Sequence, residues 1–353
     1  MKKRIPSLSS NFAGLISENA WYVDKTNFIQ QLEDLNFKYL FFLRPRRFGK
    51  SLHLSMLEHY YGIQHKNRFT ELFSEYYIGK PENTTPLKNS YYILKFNFSG
   101  VLTEKKDQIV PSFINKLISG ISQFKKDYGI LENPELDDIF QDKTAVGVFE
   151  GFISGLRQKG FEGKIYLLID EYDHFTNELF AFNTEHFKEI VSRNGWVRKF
   201  YETIKTYMGE GIIDRFFATG VTPVTLDSMT SGFNVAQNIT LNSDFHNMAG
   251  FTESELRGMI ENTIYEKGKF DLDTVISDMR SWYNGSKFSK DATERLYNPQ
   301  MVITFLSAFS RNWKYPDEMA DINVTSDYKK ISNILAPLSH DDSDNIITEV
   351  LNT

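Results

Sequence analysis

Gly49-Lys50-Ser51 is a triplet suited to phosphate. A glycine lets the backbone turn tightly, a lysine ammonium reaches phosphate oxygens, and a serine hydroxyl can hold Mg2+. The stretch that carries it, FFLRPRRFGKSLHL at 41–54, departs from the usual G-x-x-x-x-G-K-[ST] pattern at its entrance, where Arg44 stands in place of glycine. Pro45 fixes its own φ and restricts Arg44 to extended angles, so a rigid entrance replaces a flexible one. Arg46 and Arg47 add positive charge, and Phe48 precedes the glycine. The candidate phosphate-binding set runs from Arg44 through Pro45, Arg46, Arg47, Phe48, Gly49, Lys50 and Ser51 to Leu52. A polyphosphate needs backbone amides and the positive end of a helix to offset its charge, and a turn of this kind supplies both. Alone, however, a GKS tripeptide reads better as a basic surface turn.

A second cluster changes that balance. IYLLIDE places Asp170 and Glu171 at the end of an apolar run. An acid in that position is suited to hold Mg2+, and the next is suited to orient an attacking water. Thr219-Gly220 closes a further apolar run, IIDRFFATG, where a hydroxyl can respond to a terminal phosphate or simply cap the strand. The expected chemistry is nucleoside triphosphate hydrolysis with ATP and Mg2+. Lys50, Glu171 and Thr219 are the candidate catalytic residues, and Ser51 and Asp170 the candidate metal ligands.

These residues need strands that end at a common edge. KYLFFL runs directly into the loop and is continuously apolar, as in a parallel sheet buried on both faces. Leu54, Met56, Leu57, Tyr60 and Tyr61 suggest a helix after the loop, stopped by Gly62. Further strands are expected within 91–100, 164–174 and 212–220, with a short fifth at 238–241. Helices are expected at 110–124, 145–158 and the second half of 178–209, and LENPELDD is expected to be an acidic surface loop. Strands alternating with helices predict an α/β fold with a mainly parallel sheet. After residue 250, Thr252 and Glu255 form a capping box, a helix is expected at 271–282, Asn284-Gly285 signals a hairpin turn, and Asn298-Pro299 opens another helix. The predicted organisation is a core at 1–249 and a smaller helical, winged-helix-like module at 250–353.

WYVDKTNFIQQL, FFLRPRRFGKS, LLIDEYD, FFATGVTPV, GFTESEL, WYNGSKF and YNPQMVITFL together resemble the AAA-ATPase-like family of bacterial P-loop proteins, from about Trp21 to Phe305. The resemblance implies a three-layer P-loop NTPase core, ATPase activity coupled to an attached or partner domain, and an arginine at position 44 as the family's own form of the loop. It also implies a place near the adenine for 22–26. Ser286 departs from the family's usual W-Y-N-G-Y. Members often carry a PD-(D/E)xK nuclease-like domain, but here Glu104-Lys105-Lys106 and Pro316-Asp317 lack the strands such a site needs. A nucleotide-binding switch or scaffold with little turnover remains an alternative, as does the ATPase part of a DNA-processing protein. The end, SHDDSDNIITEVLNT, has the look of a truncation.

Other classes find less support. The chain of 353 residues has no cysteine, which removes disulfides and thiolate chemistry. Its net charge of -6 gives no global signal for nucleic acid. No apolar run approaches a membrane span, and a cytoplasmic location is expected. The seven histidines form no H-E-x-x-H pattern, His174 reads as a loop residue, and Ser228, Ser231 and Gly232 form no nucleophile elbow. Arg193, Arg198 and Lys199 beside Trp196 form a basic-aromatic patch whose simplest account is a solvated helix face. No N-K-x-D follows the fourth strand, which tilts the base preference toward adenine.

Overall fold

A computed structural model describes residues 2–131, 133–192, 194–229 and 233–319. The chain forms two compact units. One joins Ile29–Leu43 with Leu57–Ile239; the other joins Arg44–Met56 with the described residues of 1–28 and those from Thr240 onward.

The first unit is a five-stranded, wholly parallel sheet with helices about it. Its strands are β1 (Tyr39–Leu43), β2 (Tyr92–Asn97), β3 (Ile165–Asp170), β4 (Ile213–Gly220) and β5 (Gln237–Asn238), in the order β2-β3-β4-β1-β5. Every residue of β3 is buried, in keeping with its apolar run, and so is nearly all of β4, including Arg215. Register pairs Asn97 with Asp170, Phe42 with Thr219 and Leu43 with Gly220, so the carboxyl ends of β1 to β4 share one edge. The helices Lys106–Tyr128, Ala145–Gln158 and Trp196–Gly209 bury Phe113, Phe149 and Phe200. Phe113 and Phe200 meet edge-on at 5.2 Å, and Phe149 and Phe200 at 5.7 Å. Most of the aromatic content is thus core.

Some elements differ from the sequence-based expectation. NPELDD belongs to a helix, Asn133–Phe140. Its acids lie among apolar residues at helical spacing, and Leu136 is buried. The first half of 178–209 also contains helix, at His174–Phe182 and Thr184–Val191. The fifth strand is shorter and earlier than 238–241.

The second unit holds the helices Glu253–Thr263, Leu272–Tyr283 and Pro299–Asn312 around Leu256, Met259, Ile276, Met279, Val302, Phe305 and Phe309. The capping box forms as expected: Thr252 caps Glu255, and the Glu255 carboxylate accepts from the Thr252 amide at 2.8 Å. Asn298 caps the last helix, with Pro299 in its first turn. Asn284-Gly285, by contrast, is not a turn. It lies in β6 (Asn284–Ser286), antiparallel to β7 (Leu296–Tyr297), and residues 287–295 make the connection. A two-residue hairpin turn of the expected kind needs positive φ at both positions, and Asn284 has φ of -100° because the preceding helix runs straight into the strand.

Candidate functional site

The segment that carries Gly49-Lys50-Ser51 leaves β1 at Leu43 and enters the helix Lys50–Tyr61. Arg47 (φ 70°) and Gly49 (φ 90°) both adopt left-handed angles. Alternation of this kind turns successive amides toward one centre. A Cβ on Gly49 would meet nothing within 4 Å, so the positive φ, and not crowding by protein, is what calls for glycine. Lys50 folds back over the loop, its Nζ donating to the carbonyls of Arg44 and Pro45, both at 2.9 Å. The first helical bond runs from the His53 amide to the Gly49 carbonyl. The amides before it are of the class a helix start leaves available to an anion.

The arginines do not act alike. Arg44 is 1% exposed. Its guanidinium donates to the carbonyls of Thr240 at 2.8 Å, Phe245 at 3.0 Å and His246 at 3.1 Å. It also lies 4.2 Å from the centre of the Phe288 ring. Burial pulls its pKa down to about 9. Arg47 is exposed and donates to the Gln300 side chain. Phe48 is fully buried edge-on to Phe288 at 5.3 Å, and its carbonyl accepts from the Gly250 amide at 3.1 Å. Ser51 and Leu52 are half-buried at the helix start.

The acidic residues belong to the sheet unit. Asp170, 4% exposed at the end of β3, accepts from the Thr219 hydroxyl at 2.6 Å. Thr219 is fully buried on the neighbouring strand. Glu171 takes a left-handed φ of 51°, a costly angle for a non-glycine residue and one that re-aims its side chain at the strand end. His174 opens the next helix, 3.6 Å from the Glu171 carboxylate and 3.4 Å from that of Glu178. Trp196 stacks on Phe175 at 5.8 Å, and Arg198 bonds Glu202 one turn on at 2.9 Å, so that patch divides into core and helix surface. Arg193, Ser231, Gly232 and the segment 339–353 lie outside the described residues.

Asp173, Gly250, Phe288 and Gln300 drew no role from the sequence. Asp173 is fully buried and accepts from the amides of Val221 at 2.9 Å and Thr222 at 2.6 Å, and from the Asn177 side chain at 2.7 Å. The only signal was its i,i+4 spacing to Asn177. Of the residues implied to lie near a base, Lys25 is buried and donates to Glu255 at 2.6 Å and to the Asn247 carbonyl at 2.7 Å.

Among the described residues, no group of three or more His, Asp or Glu side chains is arranged to hold a metal alone. Magnesium in nucleotide sites takes one or two carboxylates, with phosphate, hydroxyl and water oxygens completing six positions. Asp170 and Ser51 offer donors of those types.

A parallel α/β sheet whose first strand feeds a G-K-S turn, with two carboxylates at the end of a second strand, is consistent with a P-loop-like core. The chain belongs to the AAA-ATPase-like family, described as predicted AAA-ATPase, whose model matches residues 8–230. That membership suggests ATPase activity. The chain is also 25% identical over 305 residues to an uncharacterized protein in the vnfD 5′ region of Azotobacter chroococcum mcd 1. That match covers 84% of this chain and 51% of the relative, so the chain spans about half the relative's length. No solved structure matches. Among the described residues, no helix is long and apolar enough to cross a membrane.

Proposed function

We propose that the protein is a P-loop ATPase that hydrolyses ATP with Mg2+ and couples nucleotide state to an attached or partner domain. The observation that carries this reading is Lys50, held over its own loop by two local carbonyls at the start of a helix. Phosphate oxygens can take the place of those two carbonyls as acceptors for the ammonium. Lys50 and the amides of 46–52 then bind the phosphates. Ser51 and Asp170 would hold Mg2+, which would supply positive charge to the phosphates. Glu171 orients the water whose oxygen attacks the γ-phosphorus as the bond to ADP breaks. Thr219 keeps Asp170 in its rotamer and responds to the terminal phosphate from the same strand end. The module that follows nucleotide state begins at a boundary near 249 and includes the helices Glu253–Thr263, Leu272–Tyr283 and Pro299–Asn312, with a winged-helix-like character.

Lys50→Ala is expected to weaken nucleotide binding severely and abolish turnover, and Glu171→Gln to retain binding while stopping hydrolysis. Unchanged ATP turnover in both variants discards the assignment. A second reading, a nucleotide-held switch with little turnover, draws on the engagement of Glu171 with His174. Comparing product from a single turnover with product at steady state, with and without DNA, separates the two. A steady rate stimulated by DNA would favour a DNA-processing role.

A further inference from the structure

We propose that Arg44 is a positioning residue, which shapes the phosphate loop from behind and makes no contact with the nucleotide. The inference rests on the ATP-binding reading above and goes beyond it by giving the first loop position a role. In the usual loop that position is glycine, valued for its freedom. Here it is the opposite, a side chain tied at several points.

The guanidinium fork meets three carbonyls contributed by Thr240, Phe245 and His246, with Phe288 covering its face. A planar fork bonded in this way fixes direction as well as distance. Its partners are themselves fixed. Ser243–Met248 is a short 3₁₀ turn capped by Asn242. Its Asn247 carbonyl takes Lys25, and the His246 ring sits 3.1 Å from the Glu294 carbonyl and 3.4 Å from the Phe288 amide. The same surroundings grip the loop again at its far side, through the Phe48 ring on Phe288 and the Phe48 carbonyl on Gly250. Between these two grips lie Arg46 and Arg47, and just beyond them Gly49 and Lys50. The Arg44 carbonyl is also one of the two that Lys50 bonds, so the tie determines where the ammonium rests. A side chain with its head buried among carbonyls is turned away from any anion, although its own backbone belongs to the loop.

The test measures ATP and ADP binding to the full chain by calorimetry, together with amide hydrogen exchange of 46–52. The variants are Arg44→Gly, Arg44→Lys and Phe288→Leu. Arg44→Gly restores the common loop residue yet is expected to weaken both nucleotides by about tenfold, the scale on which a displaced loop loses contacts. Arg44→Lys keeps the charge and loses the fork, and is expected to do the same. Phe288→Leu, which leaves the loop sequence intact, should reproduce the loss more mildly. In each variant the amides of 46–52 exchange faster, and the ATP-to-ADP affinity ratio stays that of the natural protein. Wild-type affinity and exchange in Arg44→Lys and Phe288→Leu would overturn the proposal. A loss confined to ATP would also overturn it, by making Arg44 a phosphate contact. If the natural protein binds neither nucleotide, the ATPase reading fails by itself, and the exchange data alone decide whether Arg44 shapes the loop.

Discussion

At the phosphate loop, cationic side chains donate to carbonyls; at the ends of β3 and β4, carboxylates accept from amides and hydroxyls. The two regions use opposite charges for the same task, holding irregular backbone in one shape. They differ in how far along the chain the partners lie. Lys50 bonds carbonyls five and six residues away, whereas the partners of Arg44 are 196 to 202 residues away. The amides capped by Asp173 are 48 and 49 residues away. A bond to nearby residues can be exchanged for a ligand, while one to distant residues ties segments together. Lys50 is therefore suited to act on a ligand, and Arg44 and Asp173 to hold backbone in place.

The largest effect on this comparison is expected at Asp173. Asp173→Ala strands two buried amides, and urea unfolding should show a loss of about 3 kcal/mol. A loss no larger than that of an exposed carboxylate would break the parallel between the two regions. Next is Lys50→Ala, expected to weaken ATP by ~100-fold, or about 2.7 kcal/mol, with much less change in unfolding free energy. A variant that unfolds as readily as Asp173→Ala would place Lys50 with the distant ties instead.

Acidification probes the loop region further. His53, one turn into the loop's helix, is buried, and desolvation together with the nearby Lys25 charge lowers its pKa to about 3. The native state then binds fewer protons than the unfolded state as pH falls. Its contribution is complete above the unfolded pKa of about 6.5 and is lost progressively toward the native value. At pH 5 the loss should reach about 2 kcal/mol, and His53→Asn should flatten the slope of stability between pH 7 and 5. An unchanged slope would mean that His53 does not set it. The smallest effect is expected from Thr219→Val, about 1 kcal/mol of stability for the hydroxyl bond to Asp170. If Asp170 holds Mg2+, the same variant weakens the Mg2+ dependence of nucleotide binding, seen as a shift in magnesium titrations.

Much of the sheet was legible because β1 and β3 are buried strands written as unbroken apolar runs, and β4 carries a shorter run, 216–218, after Asp214 and Arg215. The helix caps at Thr252 and Asn298 were legible too, because a cap depends only on residues three apart. The acidic helix Asn133–Phe140 was missed because its charged residues outweigh a narrow apolar stripe in a short window. Asn284-Gly285 misled because a dipeptide's turn preference yields when a helix on one side and a partner strand on the other impose extended backbone.

The order of residues alone determined the G-K-S turn, the left-handed glycine it needs, and the acids that end an apolar strand, since each depends on neighbours within a few positions. Only the tertiary structure decided that Arg44 turns inward to carbonyls some two hundred residues on, that Asp173 rather than its neighbours caps the end of β4, and that Phe288 backs the loop. Those contacts join segments remote in the chain, and no local pattern encodes which distant carbonyl or amide will be left in need of a partner.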